Sequence, residues 1–180
     1  MSLARFVSIL WLSVGLLGCP GDDDDDDDSA AAEVLPALGD PIDVIPSDGI
    51  PAEVALQDAN NNLDVTQFDG RTFLAFRTAP SHFAAPETEL YVVSSTDQEN
   101  WRYEGSFWMD TDLREPRLLA FDGRLFLYYA VLGQSSADFE PQGTMVTEYL
   151  GVGQWSEPEW IFVEGFIPWR ARVIDGTAYL

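Results

Sequence analysis

The sequence predicts an all-β protein, a partial β-propeller of two four-stranded blades and the start of a third, behind an N-terminal signal and an acidic linker. Three observations carry this. Asp-Gly recurs at Asp69-Gly70, Asp122-Gly123 and Asp175-Gly176, each 53 residues after the last. Each pair sits between apolar runs, as in Phe68-Asp69-Gly70-Arg71-Thr72-Phe73-Leu74, the strongest short-range hairpin signal. A unit of about 50 residues made of hairpins has the size of a propeller blade. The third copy reaches Leu180 inside its second strand, so the expected architecture is a propeller that ends early, of five or six blades in its parent form.

The elements follow in order. Residues 1–18 read as a signal peptide: Arg5 is a short positive region, and Phe6 to Leu17 is an apolar run too short to span a bilayer. It ends in Leu16-Leu17-Gly18-Cys19, which resembles a bacterial lipobox. That resemblance implies cleavage before Cys19 and lipid attachment to its sulfur. Cys19 is the single cysteine, so the mature fold has no disulfide. Residues 19–51 read as a linker. Asp22 to Asp28 is an unbroken aspartate run whose charges repel and keep it extended. Pro, Gly and Asp then dominate as far as Pro51. Blade 1 spans about 52–108, with strands over 64–68, 72–78, 89–94 and 101–107. Blade 2 spans about 109–163, with strands over 117–121, 125–131, 144–149 and 159–163. The start of blade 3 is 164–180, with strands over 170–174 and 177–180. Thr, Phe, Tyr and Val dominate these runs, which suits half-buried strands. The apolar residues Leu74, Phe76, Phe126 and Tyr128 are expected on open blade faces, where they would favour self-association.

Charge excludes one class of partner. The chain carries 31 acidic and 9 basic residues, a net −22, and every basic residue is arginine. Such a surface repels nucleic acid. There is no paired His/Cys spacing for a metal and no phosphate-binding glycine loop, so no cofactor is expected. The partners expected are a membrane, through the lipid anchor, and glycans. The place expected is the bacterial cell envelope, at the outer membrane or cell surface.

Ser95-Thr96-Asp97-Gln98-Glu99-Asn100-Trp101 resembles the Asp-box of sialidases and related glycoside hydrolases, with Gln98 where glycine is usual. At the equivalent place in blade 2, Gly151-Val152-Gly153-Gln154-Trp155 keeps the tryptophan alone. Over about residues 60–180 the chain is similar to sialidase-like and five-bladed glycosidase-like propellers. Those families imply a glycan substrate and a site on the face away from the Asp-box. The Arg-Ile-Pro that opens many sialidases is absent, since Gly49-Ile50-Pro51 lacks the arginine.

Blade geometry gathers the loops between fourth and first strands, and between second and third strands, on that face. Asp64, Arg117 and Arg170 each lie five residues before a repeat aspartate, at the start of a first strand. Nearby are Asn62, Asp112, Arg114, Glu115, Pro168 and Arg172, and from the 2–3 loop come Arg77 and His82, the single histidine. Two chemistries fit. Arg77, Arg114, Arg117, Arg170 and Arg172, with His82, could bind a substrate, guanidinium holding carboxylate bidentately. Glu115 and Asp64 could flank a glycosidic bond, Glu115 as acid and Asp64 as base or nucleophile. Against both stands plain pairing of these carboxylates with neighbouring arginines. Trp108, Trp160 and Trp169 could stack on sugars or fill the core. The functions left open are a glycan hydrolase, a non-catalytic glycan- or protein-binding propeller, and an incomplete gene product.

Overall fold

Eleven strands and no helix make up the described part of the chain. A computed structural model describes residues 39–135, 139–163 and 165–180, so the signal, Cys19 and the aspartate run lie outside the described residues. The first sheet is an antiparallel meander of β1 (Ala59–Phe68), β2 (Arg71–Ala79), β3 (Glu89–Ser95) and β4 (Arg102–Phe107). The second contains β5 (Leu113–Phe121), β6 (Arg124–Val131), β7 (Gly143–Gly151), the short β8 (Gln154–Trp155) and β9 (Glu159–Val163), with β9 paired to β7. A separate hairpin joins β10 (Arg172–Ile174) and β11 (Thr177–Tyr179). No sheet closes into a barrel among the described residues.

The Asp-Gly turns explain the regularity. Asp69, Asp122 and Asp175 have φ of 47°, 51° and 48°, and their glycines 70°, 70° and 74°. Positive φ at both central residues is the hairpin turn whose twist matches the flanking strands, and it fixes the register on either side. Asp64 faces Ala75 and Arg117 faces Tyr128; Val65 faces Leu74 and Leu118 faces Leu127. Every one of these pairs repeats after 53 residues. The 2–3 loop of the second sheet is one residue longer, so third strands repeat after 54: Thr78 faces Glu89, and Val131 faces Gly143.

One shared irregularity escaped the sequence. The first strands start earlier than 64 and 117, and each passes through a bulge, between Asn61 and Asp64 in β1 and between Arg114 and Arg117 in β5. Asn62 and Glu115 sit in these bulges at φ 46° and 49°. Bulges re-aim side chains and leave a residue outside the ladder.

Two cores hold the sheets. Phe73, Ala75, Leu90 and Val92 of the first sheet pack against Leu118, Leu125, Leu127, Tyr129 and Met145 of the second. Alternation along β2 sends Leu74 and Phe76 to the opposite face, with Tyr91, Val93 and Trp101. Those two side chains are not open, as the sequence suggested. They are 7% and 1% exposed, because Val54 and the partly buried Val44, Ile45, Ile50 and Leu56 cover them. The stretch read as linker is therefore a packed strap from Val44 onward. The Trp101 N–H donates to the Gly49 carbonyl at 2.9 Å, and a Cβ on Gly49 would fall 1.7 Å from the Glu99 oxygen, so only glycine fits there. Phe126 and Tyr128, on the outer face of the second sheet, remain half-exposed.

The turn over Ser95–Trp101 is tied by its own side chains. Ser95 Oγ accepts from the N–H groups of Asp97 and Gln98, at 3.1 and 2.8 Å. Asp97 Oδ1 accepts from the N–H groups of Glu99 and Asn100, at 3.0 and 2.8 Å. The Asn100 side-chain amide, donating to Asp97 Oδ2 at 3.0 Å, together with the N–H groups of Asn100 and Glu99, holds the Asp97 carboxyl far below the usual carboxylate range. Gln98 takes φ +64°, the conformation a glycine would enter more cheaply. In the second sheet Trp155 packs against the inter-sheet core, whereas Trp101 packs under the strap. Trp155 reaches back to the first sheet, and its Nε1–H donates to the Glu104 carbonyl at 2.8 Å.

Candidate functional site

The bulges place the predicted residues. Asn62 and Glu115, one repeat apart, meet directly: Asn62 Nδ2 donates to Glu115 Oε1. Arg117 Nη2 donates to Glu115 Oε2 at 2.6 Å. Both carboxylate oxygens of Glu115 therefore already accept hydrogen bonds from the protein. A cavity of about 150 Å³ opens here, lined by Asn62, His82, Arg114, Glu115, Trp169 and Phe139, with Ala130, Leu132 and Ile167 at its apolar side. Trp169 and Phe139 are 69% and 70% exposed, so their rings wall the mouth and do not fill the core. Trp108 and Trp160 are also exposed, which removes the core reading for all three tryptophans. The His82 ring is exposed, with Nδ1 3.4 Å from Asn61 Nδ2.

A second cavity, of about 500 Å³, runs along the first strands. Asp64, Arg117, Arg170 and Arg172 line it, together with Thr66 and Trp169. Asp64 and Arg117 hold the expected common register, and Arg170, just before β10, lines the same cavity. Two of them have structural work. β5 pairs with β6 on one side only, so its outward N–H groups need other partners. Asp64 Oδ2 accepts the Leu118 N–H at 2.8 Å. Arg117 Nε donates to the Trp169 carbonyl at 2.9 Å. The same position joins each first strand to the next stretch, by an acceptor in one repeat and a donor in the next.

Arg77 is placed differently from expectation. It is fully buried, as is Asp112, and all its N–H groups are engaged. Nε and Nη2 donate to Asp112 Oδ1 at 3.0 and 2.8 Å. Nη1 reaches Asn61 Oδ1 and the Ser81 carbonyl, both at 3.2 Å, and Nη2 also reaches the Phe83 carbonyl at 2.9 Å. No donor remains for a substrate; Arg77 belongs to the scaffold beneath the pocket. Burial pulls its pKa down, and the bonds to Asp112 oppose that. Arg170 and Arg172 are exposed and form no ion pair among the described residues.

The eight predicted residues therefore divide. His82, Arg114 and Glu115 share the small rim cavity; Asp64, Arg117, Arg170 and Arg172 share the larger one; Arg77 is in neither. Glu115 lines the smaller cavity and Asp64 the larger one, and Trp169 borders both. Sequence reasoning missed the contributions of Asn61, Thr88 and Phe139. No group of His, Cys, Asp and Glu suited to a metal exists among the described residues.

No family model matches this chain, and no curated protein matches it. One solved structure, titled "Sialidase", aligns with a TM-score of 0.49 at 14% identity, over 59% of this chain. The match spans 12% of that structure's own length.

Proposed function

We propose that the chain is a lipid-anchored, extracytoplasmic propeller-type protein that binds glycans through the rim cavity. The observation that supports this best is the composition of that cavity. Two exposed rings, Trp169 and Phe139, stand beside the polar set Asn62, His82, Arg114 and Glu115. Flat aromatic faces with a few fixed hydrogen-bonding groups suit a sugar, which presents C–H faces and hydroxyls at once. Glu115, held by Asn62 and Arg117, serves in this reading as a fixed polar group of the binding site.

Attachment through Cys19 would make the aspartate run a tether that holds the sheets off an envelope membrane, at the outer membrane or cell surface. The net negative charge argues against nucleic acid as the partner. The two sheets and the β10–β11 hairpin, repeating in one register, support reading them as successive propeller blades. The test is retention of the full chain on a printed panel of oligosaccharides, with Trp169→Ala beside wild type. Retention of wild type and at least tenfold loss in the variant is expected. New reducing ends generated from the same panel would replace the binding reading with a hydrolytic one.

A further inference from the structure

We propose that Asp112 is the positioning residue of the rim cavity, holding His82 at its mouth; this rests on reading that cavity as a binding site. Asp112 is fully buried and touches no open space. Its Oδ1 accepts from Arg77 and from Thr88 Oγ1, the latter at 2.8 Å, and its Oδ2 accepts from Arg114 Nε. The two arginines then reach outward to three successive carbonyls. Arg77 takes those of Ser81 and Phe83, and Arg114 Nη2 takes that of His82 at 2.6 Å. One carboxylate thus fixes two guanidiniums, and these fix the loop that carries the only imidazole.

The second repeat serves as an internal control. β1–β2 and β5–β6 share register, turn and bulge. Yet 53 residues after Arg77 stands Ala130, and 53 after Asp112 stands Gly165. The hairpin forms without the ion cluster, so the fold itself does not call for it. Buried ion pairs are weak sources of stability, because desolvation offsets their attraction. What this cluster holds in place is the loop through Ser81, His82 and Phe83.

The experiment uses the full chain as wild type, Asp112→Asn, and the double variant Arg77→Met with Asp112→Asn, which avoids a lone buried charge. Because His82 is the single histidine, its ring signals in a heteronuclear NMR spectrum report the loop directly. In at least one variant the methyl signals of the inter-sheet core should stay dispersed while the His82 ring signals move to those of an unstructured histidine peptide. Retention on the oligosaccharide panel should fall at least tenfold. His82 signals unchanged in a folded variant would overturn the proposal. So would loss of core dispersion in both variants, since the cluster would then be a requirement of the fold. If wild type itself binds no oligosaccharide, the glycan reading fails while the NMR comparison still decides the role of Asp112.

Discussion

Replacing Asp64 with alanine should loosen the junction between the two sheets by a predictable amount. The Leu118 N–H faces away from β6, and its acceptor is Asp64 Oδ2 at 2.8 Å. A hydrogen bond to a charged group contributes roughly 1.5–3 kcal/mol, and a donor left without its partner carries a desolvation cost. Taking about 2 kcal/mol, and an unfolding entropy of about 2.1 cal/mol/K per residue over the unit Pro41–Leu180, the midpoint should fall by about 7 °C. Asp64→Asn keeps an acceptor and loses the charge, so it should fall by about half as much. Differential scanning calorimetry at neutral pH reads both. Oligosaccharide retention by Asp64→Asn should stay within twofold of wild type, because the carboxylate acts on the sheet junction. An alanine variant melting within about 1 °C of wild type would refute the reasoning, and so would loss of all binding in the asparagine variant at unchanged stability.

Other outcomes follow from single contacts. A Cβ at Gly105 would lie 2.6 Å from Trp155 Nε1, so Gly105→Ala should displace that ring, break its bond to the Glu104 carbonyl and cost about 1–3 kcal/mol by urea titration. The depressed Asp97 carboxyl makes the Ser95–Trp101 turn acid-sensitive: its contribution is complete above the ordinary aspartate pKa near 3.8 and declines as pH falls below it towards the folded value. Hydrogen exchange at Glu99 and Asn100 should therefore show protection falling below about pH 4 in wild type, with Asp97→Asn flat across the same range. Cys19→Ser should abolish labelling by a radiolabelled fatty acid and leave the precursor unprocessed; undiminished labelling would remove the lipid anchor from the account.

The elements legible in the sequence were those set by local chemistry. Asp-Gly admits positive φ at two adjacent positions, so each hairpin could be read from its turn, and the 53-residue interval carried the register. The bulges were not legible, because Asn62 tolerates φ near +50° without requiring it and nothing in the type of Glu115 announces it. The strap was misread for a related reason. Proline, glycine and aspartate around Val44–Ile50 look like a free linker, and only the apolar face exposed by Leu74 and Phe76 gives Val54 and Ile50 somewhere to pack. The site was legible as a set of residues and not as a geometry. Arg77 and Asp112 lie 35 positions apart, and their pairing follows from how the first sheet meets β5. Glu115, His82 and Arg114 line one cavity through contacts between the 80–88 loop and the start of β5 that loop order does not specify.

Binding at the rim cavity tests the account most directly. Full-length wild type, Trp169→Ala and Arg114→Ala would be applied to one oligosaccharide panel, and the His82 ring signals would be followed as the best-retained sugar is added. The account predicts saturable shifts of those signals in wild type and at least tenfold weaker retention in both variants, with no sugar cleaved. Equal retention by all three proteins, or binding that leaves His82 unmoved, would contradict it.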